Sequence, residues 1–354
     1  MKKALKVVSI NLLILIISLL LIELILGGWL RNDNQIKSLN IITDKLFTYD
    51  CNLYSDSSII IQYSRDKFGL RGSSSFNQPE KIEILTVGGS TTDQRYINDG
   101  NTWQDIIEKC YKNDGKNIVI SNAGVDGHST FGHLKSFQIW FSKIPKLKPR
   151  YIIFYIGIND FYRIADNSSY DALKESKLTT RIKDNSVLVN FYLTIRNWRK
   201  SYVYRIGHQK ISFSNYTYTD RGVALKELYD FYEENIKGFE NRVSLLVELT
   251  KSLGAEPIFV TQPSMEYKLD KLGNVLGVSE IKYIEGMPYN GVDYYHLLNK
   301  LNNAMFDICK DKYTYIDLTN VPIWEEKDFY DFIHNTPSGA EKVGNIIYEK
   351  IKNK

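Results

Sequence analysis

Cysteine, histidine and proline are all scarce in this chain of 354 residues, with three, five and eight of each. Cys51, Cys110 and Cys309 lie far apart with no CxxC, which excludes a zinc ribbon and a small-domain disulfide framework. A single disulfide with one thiol left over stays open. His133, His208 and His296 have no partner at metal-ligand spacing, so no metal is expected. A charge of one sign is missing as well: 45 basic residues face 41 acidic ones, for a net charge of +4. With no sustained basic stripe, nucleic acid is not an expected partner. The short cluster "KIPKLKPR" (143–150) reads as a solvated loop. Internal repeats and low-complexity segments are absent too. The glycine turn "ILTVGGSTTDQ" (84–94) lacks the lysine of GxxxxGK[ST] and the third glycine of GxGxxG. A phosphate cradle is therefore a weak reading, and no cofactor is expected.

What the chain does have is one long apolar run. Lys2, Lys3 and Lys6 precede an almost unbroken stretch from Val7 to Leu30. That is enough to span the ~30 Å bilayer core as a helix, longer than the ~7–15 residues of a signal-peptide core. No small-x-small cleavage site follows, so residues 1–31 read as a signal anchor, with a cleaved signal peptide as the runner-up. The lysines favour a cytoplasmic start, which puts the rest of the chain outside as a single-pass, extracytoplasmic domain. Glu23 is the odd residue in the span, expected to be protonated, snorkelling or paired with another helix.

Beyond the anchor, residues 32–80 are polar and irregular and read as a lead-in or linker containing "FGLRG" (68–72). From 81 onward strand-length apolar runs recur at 82–87, 117–122, 151–156, 257–262 and 313–318. Segments of helical periodicity alternate with them, at 102–112, 224–254 and 338–353. Strands alternating with helices imply a parallel sheet covered on both faces. The expected fold class is therefore a three-layer α/β/α flavodoxin-like sandwich with a five-stranded parallel sheet, plus one N-terminal transmembrane helix. Its site belongs at the carboxyl ends of the strands. Residues 161–222 break this rhythm and, from their place after the third strand, suit a cap insertion. Their aromatics (191–219) could stack on sugar rings, although packing is the default.

Four strand ends carry chemistry. "GGST" with Ser90 follows the first strand, "NAGVDGHST" (122–130) the second and "GIND" (157–160) the third, while "DFIH" (331–334) follows the fifth. A serine needs a base to accept its proton and donors to hold the oxyanion. Asp331 and His334 stand three residues apart, close enough for the carboxylate to orient the imidazole. The Ser90 N–H, a glycine N–H from the second loop and the Asn159 amide are the candidate oxyanion donors. Asp160 reads as a turn residue and His128 as structural.

This constellation resembles the SGNH, or GDSL-type, hydrolase superfamily over roughly residues 81–354. The resemblance implies Ser90 as nucleophile, Gly127 and Asn159 as oxyanion donors beside the Ser90 N–H, and Asp331 with His334 as the Asp-x-x-His block. Gly124 competes with Gly127, and spacing from Asn122 favours Gly127. One departure is that G-D-S-L is here Gly88-Gly89-Ser90-Thr91. More loosely, the anchored layout looks like SGNH proteins that move or remove O-acetyl groups on bacterial surface polysaccharides.

The expected function is a serine esterase acting on small acyl esters, such as an O-acetylated glycan. Two alternatives use the same chain: an O-acetyltransferase fed by a membrane acyl-donor partner, and a non-catalytic glycan-binding protein.

Overall fold

The computed structural model describes residues 2–29, 36, 39–163, 171, 182, 185–204, 208–270 and 272–354. The chain divides into two compact units, residues 1–39 with 173–207, and residues 40–172 with 208–354. Of the expected cap over 161–222, residues 164–170, 172–181, 183–184 and 205–207 lie outside the described residues.

The first unit holds helix α1 (Lys2–Leu26), whose 22-residue stretch Leu5–Leu26 is long and apolar enough to cross a membrane. It also holds a second helix, Val187–Tyr204.

The larger unit is built on five parallel strands. These are β3 (Ile84–Gly88), β4 (Ile120–Asn122), β5 (Tyr151–Tyr155), β6 (Glu256–Val260) and β7 (Thr314–Ile316), following a hairpin of β1 (Lys45–Cys51) and β2 (Ile59–Arg65). Across the sheet the order is β7-β6-β5-β3-β4. Numbered by their own sequence, that is 2-1-3-4-5 read from the β4 edge, the flavodoxin-like order. The chain reverses direction of growth between β3 and β5, so the crevice beyond their carboxyl ends is where this fold places a ligand.

Alternation along the strands builds two cores. Ile84, Ile153, Tyr155, Ile258 and Val260 pack with Trp103, Ile107 and Tyr111 of α2 (Trp103–Asn113) and with Val343 and Ile347 of the C-terminal helix Pro337–Ile351. On strand positions between these, Phe154 stacks on Phe259 at 4.9 Å and on Phe137 of α3 (Thr130–Ile139) at 6.3 Å. Caps fix where helices start. A Thr102–Asp105 capping box opens α2, and Thr336 ahead of Pro337 opens the C-terminal helix.

The stretch read as a lead-in or linker is integral to this unit. β1 and β2 pair antiparallel over seven residues, and Cys51, Leu53 and Ile61 pack with Tyr330. Residues 40–80 thus fall in the same compact unit as the sheet. The reason is polar, and hydropathy does not reveal it: Arg65 and Arg71 are 3% and 2% exposed and bind backbone and carboxylates under the sheet's edge. All three cysteines are free.

Candidate active site

The chain leaves β3 through Gly88 and Gly89 into a single helical turn, Ser90–Asp93. Gly89 O accepts from the N–H groups of Thr92 (3.1 Å) and Asp93 (2.9 Å), and Gln94 closes the turn at φ 48°. This sharp strand-to-helix turn lifts Ser90 to the carboxyl edge of the sheet. Beneath it, Asp93 is buried at 1% exposure against Arg65, with Tyr63 Oη donating to Asp93 Oδ1 at 2.8 Å. Arg65 also donates to Gly69 O and Asn122 O (3.0 Å each) and to Gly124 O (2.6 Å). Arg71 donates to the carbonyls of Asp93 (2.7 Å), Gln94 (3.0 Å) and Ile97 (2.6 Å). Two guanidinium groups thus gather the loops after β3 and β4, each held by carbonyls and a carboxylate as burial demands.

His334 comes from the opposite side, on the loop before the C-terminal helix. Its Nε2 lies 2.7 Å from Ser90 Oγ and its Nδ1 2.7 Å from Asp331 Oδ2. Asp331 Oδ1 accepts from the N–H groups of Ile333 (2.9 Å) and His334 (2.7 Å). Burial raises the Asp331 carboxyl, but the His334 ring and these two N–H groups outweigh it and hold the group below its ordinary range. Ionised Asp331 then accepts from Nδ1–H, which leaves Nε2 as the basic nitrogen facing the serine. Residues 244 positions apart meet here because β3 and the C-terminal loop end on one sheet edge.

Asn159 Nδ2 donates to His128 O at 2.7 Å, so the turn after β5 is tied to the loop after β4. A Cβ on Gly89 would stand 2.4 Å from that Nδ2. Glycine at position 89 therefore leaves space that the Asn159 amide occupies. Gly127 has φ 75°, a left-handed conformation that suits glycine. Among the described residues, neither the Ser90 nor the Gly127 N–H is taken by a protein acceptor. The competing Gly124 N–H donates to Asn122 Oδ1 at 2.8 Å, and its carbonyl is held by Arg65. Asp160, expected as a turn residue, also ties loops together: it accepts from Thr130 N (3.1 Å) and Thr130 Oγ1 (2.5 Å).

Three groups beside the relay escaped sequence reasoning. His208, set aside for want of a partner, has its ring centroid 4.1 Å from that of His334 and its Nδ1 2.6 Å from Tyr330 Oη. Tyr330 stacks parallel to His334, with 5.5 Å between ring centroids, so the imidazole is flanked by two rings. Asp126, next to Gly127, has Oδ2 3.9 Å from His208 Nε2 and 3.9 Å from Arg95. His208 is the leading influence holding Asp126 below its ordinary value, with Arg95 and His334 adding to it against burial. No spacing rule links 126, 208 and 330; only the fold does. His208, Asp331 and His334 bring potential ligand atoms within 4.8 Å of one another. Both ring nitrogens of His334 are already engaged, by Asp331 and Ser90, so a metal there would take the relay apart. His128 and His133 are each 1% exposed, and burial, with His128 nearby, drops His133 to about 3. His296 is exposed.

The arrangement can do acyl-transfer chemistry: a hydroxyl paired with an oriented imidazole, beside N–H groups left unspent. No family model matches the sequence, and no curated protein matches it. The chain is similar, at low identity, to several solved structures. The chain is similar to a member of the lipolytic protein G-D-S-L family from Veillonella parvula, at 13% identity over 77% of this chain and 100% of that one, TM-score 0.43. A mutant acetyl-xylooligosaccharide esterase from Geobacillus is similar at 12% identity over 76% and 93%, TM-score 0.43. An acetyl xylan esterase matches at 13% identity over 76% and 100%, TM-score 0.42.

Proposed function

We propose that this protein is a serine-dependent esterase of the SGNH type that hydrolyses small acyl esters, with O-acetyl groups of a cell-surface glycan as its substrate. The single observation carrying the chemistry is the continuous relay Ser90 Oγ, His334, Asp331, with 2.7 Å at each link. Ser90 Oγ attacks the ester carbonyl as its proton passes to His334 Nε2. Asp331 stabilises the imidazolium without taking the proton. The Ser90 and Gly127 N–H groups and the Asn159 amide receive the oxyanion. His334 then protonates the departing alcohol, water attacks the acyl-serine with His334 again as base, and the free acid leaves. No metal or cofactor enters a step.

The glycan assignment rests on the anchored layout. An N-terminal apolar run with three lysines at its start supports a catalytic unit held on the outer side of a membrane, within reach of acyl esters on surface polymers. The test is hydrolysis of an acetyl ester by the detergent-solubilised full chain, with Ser90→Ala beside it. The substitution should abolish turnover while leaving the melting temperature unchanged. Turnover at the wild-type rate by Ser90→Ala would sink the reading. Supplying a glycan acceptor in the same assay separates free acetate from acetyl transferred to sugar.

A further inference from the structure

Glu23 is left unexplained by esterase chemistry, and its surroundings assign it a task. The first unit contains α1 and the helix Val187–Tyr204, here α4. Glu23 lies one turn before the end of α1 and reaches the start of α4. Its Oε1 accepts from Ser186 Oγ (2.5 Å) and Leu188 N (3.0 Å), and its Oε2 from Val187 N (3.2 Å) and Trp29 Nε1 (3.0 Å). Ser186 Oγ in turn accepts from Val189 N at 3.0 Å, and Gly28 N donates to Asn185 O at 2.8 Å. The carboxylate thus caps the N-terminal N–H groups of α4, where helix geometry leaves them unpaired and the dipole favours negative charge. An acid in an apolar span is costly unless partnered. Here it fastens a second helix to the level at which the apolar run ends.

Among the described residues, nothing from the first unit covers one face of α4. Phe191, Tyr192 and Ile195 are 67%, 63% and 50% exposed. Phe191 and Ile195 stand four residues apart, one turn along a single helical face. Arg196 and Arg199 are exposed. With these arginines and Lys200 the helix is too polar to cross a bilayer, and α1 is the one such span among the described residues. Aromatic rings with arginine and lysine are the composition of a helix lying in the headgroup region.

We propose that α4 is an interfacial helix, its Phe191–Ile195 face seated in the lipid surface of the leaflet reached by Leu26, with Glu23 as the fastening that sets its depth. Continuity with α1 selects lipid as the occupant: the tie at Glu23 starts α4 where the span meets the headgroups. The arginines then meet anionic phosphates.

The experiment uses the full chain in vesicles of phosphatidylcholine and phosphatidylglycerol. Nitroxide labels go on Phe191→Cys, Ile195→Cys and, as a reference in the other unit, Leu225→Cys, each in a Cys110→Ser background. Labels at 191 and 195 should be reached by oxygen and shielded from a water-soluble nickel chelate, whereas the label at 225 should show the reverse. Glu23→Ala should raise nickel access at 195 severalfold. A phosphatidylcholine bearing an acyl-chain diazirine gives the same answer for the unmodified chain: adducts on 187–204 as well as on α1. Labels at 191 and 195 as open to nickel as that at 225, or adducts confined to α1, overturn the proposal. Neither readout depends on esterase activity.

Discussion

The serine turn and the histidine loop meet across 2.7 Å, yet they are built in opposite ways. The histidine side is nearly self-contained. Asp331 takes the Nδ1 side of His334 and two N–H groups of its own loop, so one short segment supplies the proposed base, its orienting acid and the backbone that holds both. The serine side is held from afar. Asp93 at the end of the turn is gripped by Arg65 from β2, and Arg71 holds the carbonyls that follow. One side is a local motif, and the other is a platform assembled from residues 63–71. Damage to the motif should cost chemistry; damage to the platform should cost the fold.

The sharpest break is Asp331→Asn. The amide can still accept from the loop's N–H groups but favours the wrong imidazole tautomer, so kcat should fall about 10⁴-fold. The melting temperature should move little, as calorimetry on the same sample would record. Arg65→Met attacks the platform. It leaves Asp93 buried without its main partner, which should cost about 3–5 kcal/mol of stability. Chemical denaturation would measure that loss, and hydrolysis per folded molecule should survive far better than in Asp331→Asn. If the two substitutions exchanged phenotypes, the contrast between motif and platform would be wrong.

Gly89→Ala probes the junction between the two sides. The new Cβ would meet the Asn159 amide at 2.4 Å and His128 O at 3.1 Å, so the amide must shift. Misplacing an oxyanion donor by a fraction of an ångström should lower kcat by roughly ten- to a hundredfold, with KM little changed. The smallest effect is expected from Asp126→Asn. His208, with Arg95 and His334, holds the Asp126 carboxyl below its ordinary value, so Asp126→Asn removes a negative charge at neutral pH. At 41% exposure that charge is screened by solvent, so kcat/KM at neutral pH should change by less than about threefold. A loss as large as that of Asp331→Asn would contradict the ranking.

The same contrast explains what could be read from the chain. "GGS", "GIND" and "DFIH" were legible because each is a short segment whose chemistry is local and whose strand announces itself by a run of apolar residues. The alternation of strands and helices implied a five-stranded parallel sheet, and the structure has it. Residues 32–80 were read as a lead-in because the contribution of this stretch is polar: Arg65 and Arg71 look solvent-bound until carbonyls from 69, 93, 94, 97, 122 and 124 close around them. His208 and Tyr330 were invisible for a related reason. Their partners lie at 126 and 334, and no periodicity connects those numbers.

The central claim is that Ser90 is the nucleophile, and covalent capture tests it most directly. Full-length protein in detergent is treated with a fluorophosphonate and digested, and the adduct is located by peptide mass spectrometry. One equivalent should be found on Ser90 as acetyl-ester hydrolysis disappears, and His334→Ala should label far more slowly. A folded sample that hydrolyses the ester while Ser90 stays unmodified, or that carries the label on another residue, would contradict it.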